Sequence, residues 1–418
     1  VSLSEQCDHL SASIPAHVKW RNLLLLAFAE LLAMVLWFSA SAVVPQLTQQ
    51  WKLGSAGQAW LTMSVQIGFV LGALASAILN LADRISASRL IGCSALLGAG
   101  LTALIAADPG IATTIALRVL TGVAMAGVYP PGMKLVASWC SRDRGLGIGL
   151  LVGALTIGSA VPHLLNAVPV FGAVGMPAWR SVLWAAAAQG AIGGVLVLLF
   201  VKSGPILSRA AAFDWRYAGK VFSNRPMRLA NFGYLGHMWE LYAVWTWAPF
   251  LLIASYEASG WSIAAARVAG FGMIAVGGAG SLLAGILADR LGRTRISIWS
   301  LAVSGACCLT VGFAFDHPAL LTGVCLLWGF AVVADSAQFS AAVSELSDPR
   351  YVGTALTMQT SVGFLLTMIT IQLIPPLRDR VGWEYAFALL AIGPALAIWS
   401  MAALRALPEA TRMASGNM

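Results

Sequence analysis

The stretch GILADRLGRTR at residues 285–295 gathers Asp289, Arg290, Arg293 and Arg295 in a chain of 418 residues that is 59% hydrophobic and only 10% charged. Soluble domains carry about 25% charged residues, so charge here is scarce and its placement is informative. A weaker copy, LNLADRISASR, occupies residues 79–89. Asp83 aligns with Asp289, Arg84 with Arg290 and Arg89 with Arg295. An offset of 206 or 207 residues also carries Gly122 onto Gly329 and Arg144 onto Tyr351. Landmarks repeating at one offset imply a chain made of two duplicated halves.

Between the charged clusters run apolar segments of about 20 residues, the length that crosses a hydrocarbon core about 30 Å thick. Twelve are read, at 22–44, 57–81, 90–107, 111–131, 146–168, 181–201, 229–254, 264–287, 296–315, 319–341, 353–374 and 384–405. Their continuity excludes barrel strands, which alternate apolar and polar residues over about ten positions. The first is too long for the apolar core of a cleaved signal peptide, and Glu5 and Asp8 precede it. The expected fold is an all-α polytopic membrane protein of twelve transmembrane helices in two pseudo-symmetric six-helix bundles, 22–201 and 229–405. An N-terminal segment 1–21, a basic linker 202–228 and a C-terminal tail 406–418 complete the chain.

An even number of spans puts both termini on one side. Lys19, Arg21, Arg84, Arg89, Lys134, Arg142, Arg144, Lys202, Arg209, Arg216, Lys220, Arg225, Arg228, Arg290, Arg293, Arg295, Arg350, Arg405 and Arg412 share that side, against Lys52, Arg180, Arg267, Arg378 and Arg380 opposite. Basic loops stay in the cytoplasm, so the termini are expected there. The net charge of +8 then reports topology, and no nucleic-acid partner is read from it. Within the linker, AAFDWRYAGKVF reads either as an amphipathic helix on the anionic inner leaflet or as a solvated connection. The six cysteines show no CxxC spacing and are read as packing residues.

These motifs resemble the major facilitator superfamily of secondary transporters. Its loop signature, Gly-x-Leu-x-Asp-Arg-x-Gly-Arg-x-Arg, is met by Gly285, Leu287, Asp289, Arg290, Gly292, Arg293 and Arg295. In the first copy Leu79 and Ser86 replace the glycines and Ala87 replaces an arginine. The resemblance implies a cytoplasmic gate at Asp83, Arg84, Arg89, Gly285, Asp289, Arg290, Gly292, Arg293 and Arg295, with a carboxylate binding arginine and helix-end N–H groups across the two halves. It also implies alternating access, a bacterial cytoplasmic (inner) membrane, and a monomer with no obligatory protein partner.

A second family signature, Arg-x-x-x-Gly in helix 4, is met by Arg118 and Gly122. A charge inside a span costs about 2.5–3.5 kcal/mol or more unless partnered, and Glu30, at comparable depth in helix 1, is the expected partner and proton carrier. Some antiporters of the superfamily pair such residues. The antiporter signature of helix 5 is nearly lost, however: of its five defining positions, filled here by Ala154, Gly158, Ser159, Pro162 and His163, only Gly158 survives. The arginine pair of nitrate porters is not met either, since helix 2 has none and Arg267 sits at the outer end of helix 8.

Helix 7, NFGYLGHMWELYAVWTWAPFLL, is the most polar and aromatic span. His237 and Glu240, three apart, share a face, and Trp247 lies further along it, either lining a cavity or anchoring the interface. Asp335 and Gln338 form a similar pair in helix 10. Gln359, Tyr129, His163 and Asn166 extend the polar set. A metal bound by His237, Met238 and Glu240 is disfavoured because neighbouring side chains diverge on a helix, so no metal or cofactor is expected. No GxxxxGK[ST] loop is present, which argues against direct ATP drive. The expected function is secondary transport of a small organic solute, more anionic than not, coupled to protons through groups that titrate near neutrality. Proton-driven export of drugs or other amphipathic compounds is the alternative. A metal-ion permease, an intramembrane enzyme and a channel are minor ones.

Overall fold

The computed structural model describes residues 15–140, 144–168, 178–205 and 213–417, and these form helices without a strand. Span 1 is Ala16–Ala42, continued by Val44–Trp51; span 2 is Ser55–Ile78, span 3 Ala87–Ile105, span 4 Ile111–Met125 with Tyr129–Trp139, span 5 Arg144–Leu165 and span 6 Trp179–Phe200. After a short helix at Trp215–Ser223 come span 7, Arg225–Ala258, span 8, Ile263–Leu291, span 9, Arg293–Thr310, span 10, Pro318–Ala334 with Ser336–Leu346, span 11, Val352–Ala386, and span 12, Ile392–Arg405. The protein is therefore an integral multi-pass membrane protein. Eleven of these helices are long and apolar enough to cross a membrane; span 7, at 34 residues, is long enough but too polar. Its polarity is hidden, because Asn231, His237, Glu240 and Thr246 are all buried against neighbouring helices. Polar groups inside a bilayer belong in the bundle interior, and span 7 follows that rule.

Within the first half, span 1 packs on spans 5 and 6, span 2 on span 4, and span 3 on span 6. Within the second, span 7 packs on spans 11 and 12, span 8 on span 10, and span 9 on span 12. The halves meet where span 5 lies along span 8 and span 2 along span 11. Spans 2 and 4 touch main chain to main chain: a Cβ at Gly122 would overlap the Val65 carbonyl, and one at Gly68 the Val119 carbonyl.

Spans 4 and 10 are each broken, near Val128 and at Asp335. Pro130 and Pro131 explain the first break, since proline supplies no N–H and disfavours helix in the residue before it. The breaks lie 207 residues apart, the offset of the duplication. The connection between spans 8 and 9 turns on Gly292 at φ +97°, a backbone open to glycine. The first copy, with Ser86 at φ −58°, turns instead on Asn80 at φ +51° and a four-residue helix, Leu81–Arg84. Asparagine tolerates the left-handed region better than most residues, so the loop keeps its reversal by a different route.

The linker is shorter than expected, because residues 225–228 already belong to span 7. Its helix Trp215–Ser223 does form, capped by Asp214 on the Arg216 and Tyr217 amides. Tyr217 stacks on Tyr351 and accepts the Asp348 N–H, tying the linker to the connection before span 11. There the Arg350 guanidinium, bonded to Asp348, holds that carboxyl down to about 2.

Candidate functional site

Six aromatic rings from spans 1, 2, 7 and 11 meet across the seam between the bundles. Trp37 and Phe38 come from span 1, Phe69 from span 2, Tyr242 and Trp245 from span 7 and Phe364 from span 11. Trp37 lies 5.2 Å from Phe69 and 5.4 Å from Phe364; Tyr242 lies 5.0 Å from Phe364, 5.6 Å from Trp245 and 6.2 Å from Phe38, centroid to centroid. Each half gives three rings, and Phe38 and Trp245 are 207 residues apart. The indole N–H groups of Trp37 and Trp245 are buried without an acceptor. So is the amide nitrogen of Gln66, whose oxygen accepts from Thr367 on span 11 at 2.7 Å. Buried donors are usually paired, so three unpaired ones around one cluster are donors left available to a ligand.

Behind the rings lies Arg118, fully buried. It does not pair with Glu30, contrary to the sequence expectation. Its Nε donates to Leu61 O at 3.1 Å, Nη1 to Leu36 O at 3.0 Å and Nη2 to Trp37 O at 2.5 Å. The expectation failed on direction: span 4 runs opposite to span 1, so equal depths from the two helix starts are depths from opposite faces. Leu36 and Trp37 lie six and seven residues beyond Glu30, about 9–10 Å along the helix. Arg118 thus stitches spans 1 and 2 by main-chain contacts, and among the described residues no carboxylate pairs with it near Trp37.

Glu30 is 1% exposed, with both carboxylate oxygens unpaired. It faces Gly132, just past the break in span 4, where a Cβ would come within 2.6 Å of Oε2, and Tyr129 lies within electrostatic reach. Its counterpart at the 207-residue offset is His237. His237 Nδ1 lies 2.9 Å from Asp335 Oδ1 at the break in span 10, an ion-pair distance without the alignment of a hydrogen bond, and its Nε2 has no partner. Each half therefore sets a titratable group of its first helix against the break of its fourth.

The other expected residues disperse. Glu240 turns away from His237, and its Oε1 accepts from Ser304 and Cys308 of span 9 and from Trp328 of span 10. Trp247 is buried, donating to Ile371 O at 2.9 Å, so it is neither an interfacial anchor nor one of the six rings. Gln338 accepts from Arg293 at 3.0 Å and so belongs with the charged loop. Gln359 is buried with both amide atoms unpaired, and His163 lies near the end of span 5 with Nε2 unpaired. Among the described residues no group of three or more His, Cys, Asp or Glu is placed to hold a metal.

At the end of the bundle that carries the termini, Asp289 crosses the seam. Its carboxylate lies so close to Gly145, in the first turn of span 5, that a Cβ there would overlap it. Gly285 packs on the Gly145 carbonyl, one turn deeper in span 8. Arg293 stays within its own half, bidentate to Glu345 at 2.8 and 2.6 Å and 3.5 Å from Asp289. Arg84, Arg89, Arg290 and Arg295 are exposed, and the Asp83 side chain lies outside the described part of the structure. The C-terminal turn closes over the cluster, with Ala414 N donating to Glu345 and Asn417 to the Asp289 carbonyl.

The rings and Gln66 were missed because tryptophan and phenylalanine in an apolar span read as ordinary packing. The usable signal was the pair Phe38 and Trp245 at the duplication offset.

Two broken-helix bundles around a buried polar and aromatic centre define the architecture of a two-bundle membrane transporter. A family model described as Major Facilitator Superfamily matches residues 26–279 and 232–417, and the chain belongs to that family. The proton:xylose symporter XylE superposes with a TM-score of 0.69 at 14% identity, over 92% of this chain and 95% of that one, a likeness of fold. The 3-(3-hydroxy-phenyl)propionate transporter of Escherichia coli (strain K12) is 39% identical over 79 residues, 19% of this chain and 19% of that protein. The gallate transporter of Pseudomonas putida is 26% identical over 323 residues, 68% of each. The chain thus spans about a fifth of the first relative's length and two thirds of the second's.

Proposed function

We propose that the protein is a secondary transporter of small aromatic carboxylates working by alternating access, with the end that carries the termini in the cytoplasm. The observation that carries this reading is the six-ring cluster with three unpaired donors, backed by Arg118. Rings set tilted and edge-on to one another, with only Phe38 and Tyr242 near parallel, offer both faces and edges to a flat aromatic body. Three N–H donors beside a guanidinium that pairs with no carboxylate among the described residues suit a carboxylate ligand, which only accepts. Two of the relatives are named for such acids, a phenylpropionate and gallate. The test is uptake of labelled benzoate and 3,4-dihydroxybenzoate into proteoliposomes. Saturable uptake above protein-free liposomes is expected, competed by aromatic acids and not by benzamide; no flux of any aromatic carboxylate sinks the reading.

Proton coupling is part of the proposal, assigned to Glu30 and to the His237–Asp335 pair. Both sit at helix breaks, where a change of protonation alters a local contact that a moving segment must make or lose. In Glu30→Gln, uptake driven by an inward-acid gradient should fall at least about tenfold, while exchange of labelled for unlabelled solute persists. Gradient-driven uptake intact in both Glu30→Gln and Asp335→Asn removes these carriers.

A further inference from the structure

We propose a second carboxylate-binding subsite at the end of the bundle opposite the termini, built from Arg267 and His163 and acting as the latch through which an anion opens that side. It rests on the proposed aromatic-acid substrate for its ligand but on separate residues. Arg267, near the start of span 8, is 4% exposed and no carboxylate lies within ion-pair distance of it among the described residues. Its Nη1 donates to the main-chain oxygen of Asn166 at 2.9 Å, a contact from one bundle to the other. The Asn166 side chain is tied into its own half, accepting from Gln46 at 2.5 Å and donating to Ala42 O at 2.7 Å.

Three polar atoms of this cluster are buried and unpaired: Arg267 Nε, His163 Nε2 and Gln46 Oε1. His163 lies within electrostatic reach of Arg267. A buried guanidinium bonded to one neutral carbonyl lacks a counter-charge, and an unpaired buried charge is costly. A carboxylate supplies what is missing, accepting from Arg267 and from a ring N–H of His163. Charge-assisted bonds of that kind outcompete the neutral Asn166 carbonyl, so an arriving anion releases the tie between spans 5 and 8. Gln46 lies eight and nine residues past Phe38 and Trp37, about 13 Å along the helix, so this subsite is distinct from the central rings.

The experiment uses the full-length protein, purified and reconstituted in sealed vesicles of one orientation, with benzoate as the probe. In Arg267→Gln the half-saturation concentration for benzoate entering from the face opposite the termini should rise about tenfold, that for entry from the termini face staying within about twofold. Arg267→Lys should recover part of the loss, and His163→Gln, which keeps the Arg267 tie, should show a smaller rise on the same face. Thermal stabilisation of the detergent-solubilised protein by benzoate, compared in wild type and Arg267→Gln, supplies a readout that needs no transport. Stabilisation that requires Arg267 without any flux supports the subsite and overturns the transport reading. Wild-type flux, with both variants unchanged on the two faces, overturns the subsite alone. Equal changes on both faces mean a structural role and also overturn it, and a wild type that neither moves nor is stabilised by benzoate overturns both.

Discussion

Trp37 and Trp245 carry the same unpaired indole N–H, while their rings pack on aromatic neighbours, Phe69 and Phe364 for Trp37 and Phe38 and Tyr242 for Trp245, so donor and ring are separable by substitution. Trp37→Phe keeps an aromatic face and loses the donor. A hydrogen bond to a charged group contributes about 1.5–3 kcal/mol, so benzoate affinity in Trp37→Phe or Trp245→Phe should fall on the order of tenfold to a hundredfold, read by binding titration. Thermal stability without ligand should hold, because the lost N–H has no partner in the unliganded protein; equal loss of stability and affinity would mean the donor is structural. Asp289 acts on a different quantity. Its carboxylate sits at the first turn of span 5, where the helix dipole favours negative charge, so Asp289→Asn weakens one closed state of the seam without touching the rings. Maximal flux should drop about tenfold or more with half-saturation little changed. A raised half-saturation with normal flux would place Asp289 in binding instead.

At the scale of helices, the contact of spans 2 and 4 through Gly68 and Gly122 leaves no room for a methyl group, since each Cβ would overlap a carbonyl of the opposite helix. Forcing extra atoms into such packing costs about 1–3 kcal/mol, so Gly122→Ala should lower the melting temperature of the detergent-solubilised protein by several degrees. An unchanged melting temperature would mean the helices part easily. The helices were largely legible in the sequence, because a hydrocarbon core sets their length and the duplication sets their order. Span 7 shows the limit: its polar residues marked it as special, but three-residue spacing put His237 and Glu240 on one face, whereas the pair diverges toward Asp335 on one side and Ser304, Cys308 and Trp328 on the other. A helix surrounded by protein has functional directions on more than one side, and spacing alone does not say which neighbour waits at each. Glu30 and Arg118 failed for a related reason, because depth within a span is defined only together with the span's direction. The break in span 10 at Asp335 left no mark in the sequence, because no prolines follow it as Pro130 and Pro131 follow the break near Val128.

For the whole molecule, the seam between spans 5 and 8 is closed along its length. Gly285 meets Gly145 near the termini end, Gly149 packs on Ser281 and Leu282, Gly153 meets Gly278 deeper in, and Arg267 meets Asn166 at the opposite end. For the proposed site among the central rings, this seam gives a solute passage only where the bundles separate. The glycines suit the proposed motion, since main-chain surfaces without interlocking side chains part and rejoin with few rotamer changes. Gly149 and Leu282 face each other closely enough that a Cβ on Gly149 would lie 3.5 Å from the Leu282 Cα, within reach of a disulfide between cysteines at the two positions. In the double variant Gly149→Cys with Leu282→Cys, oxidation should hold the termini end shut and stop net flux, and reduction should restore it. Each single variant, oxidised in the same way, controls for the native cysteines. Net flux that continues with the two bundles covalently joined would mean the solute passes without their separation, and the rocking mechanism would have to be abandoned for a fixed pathway.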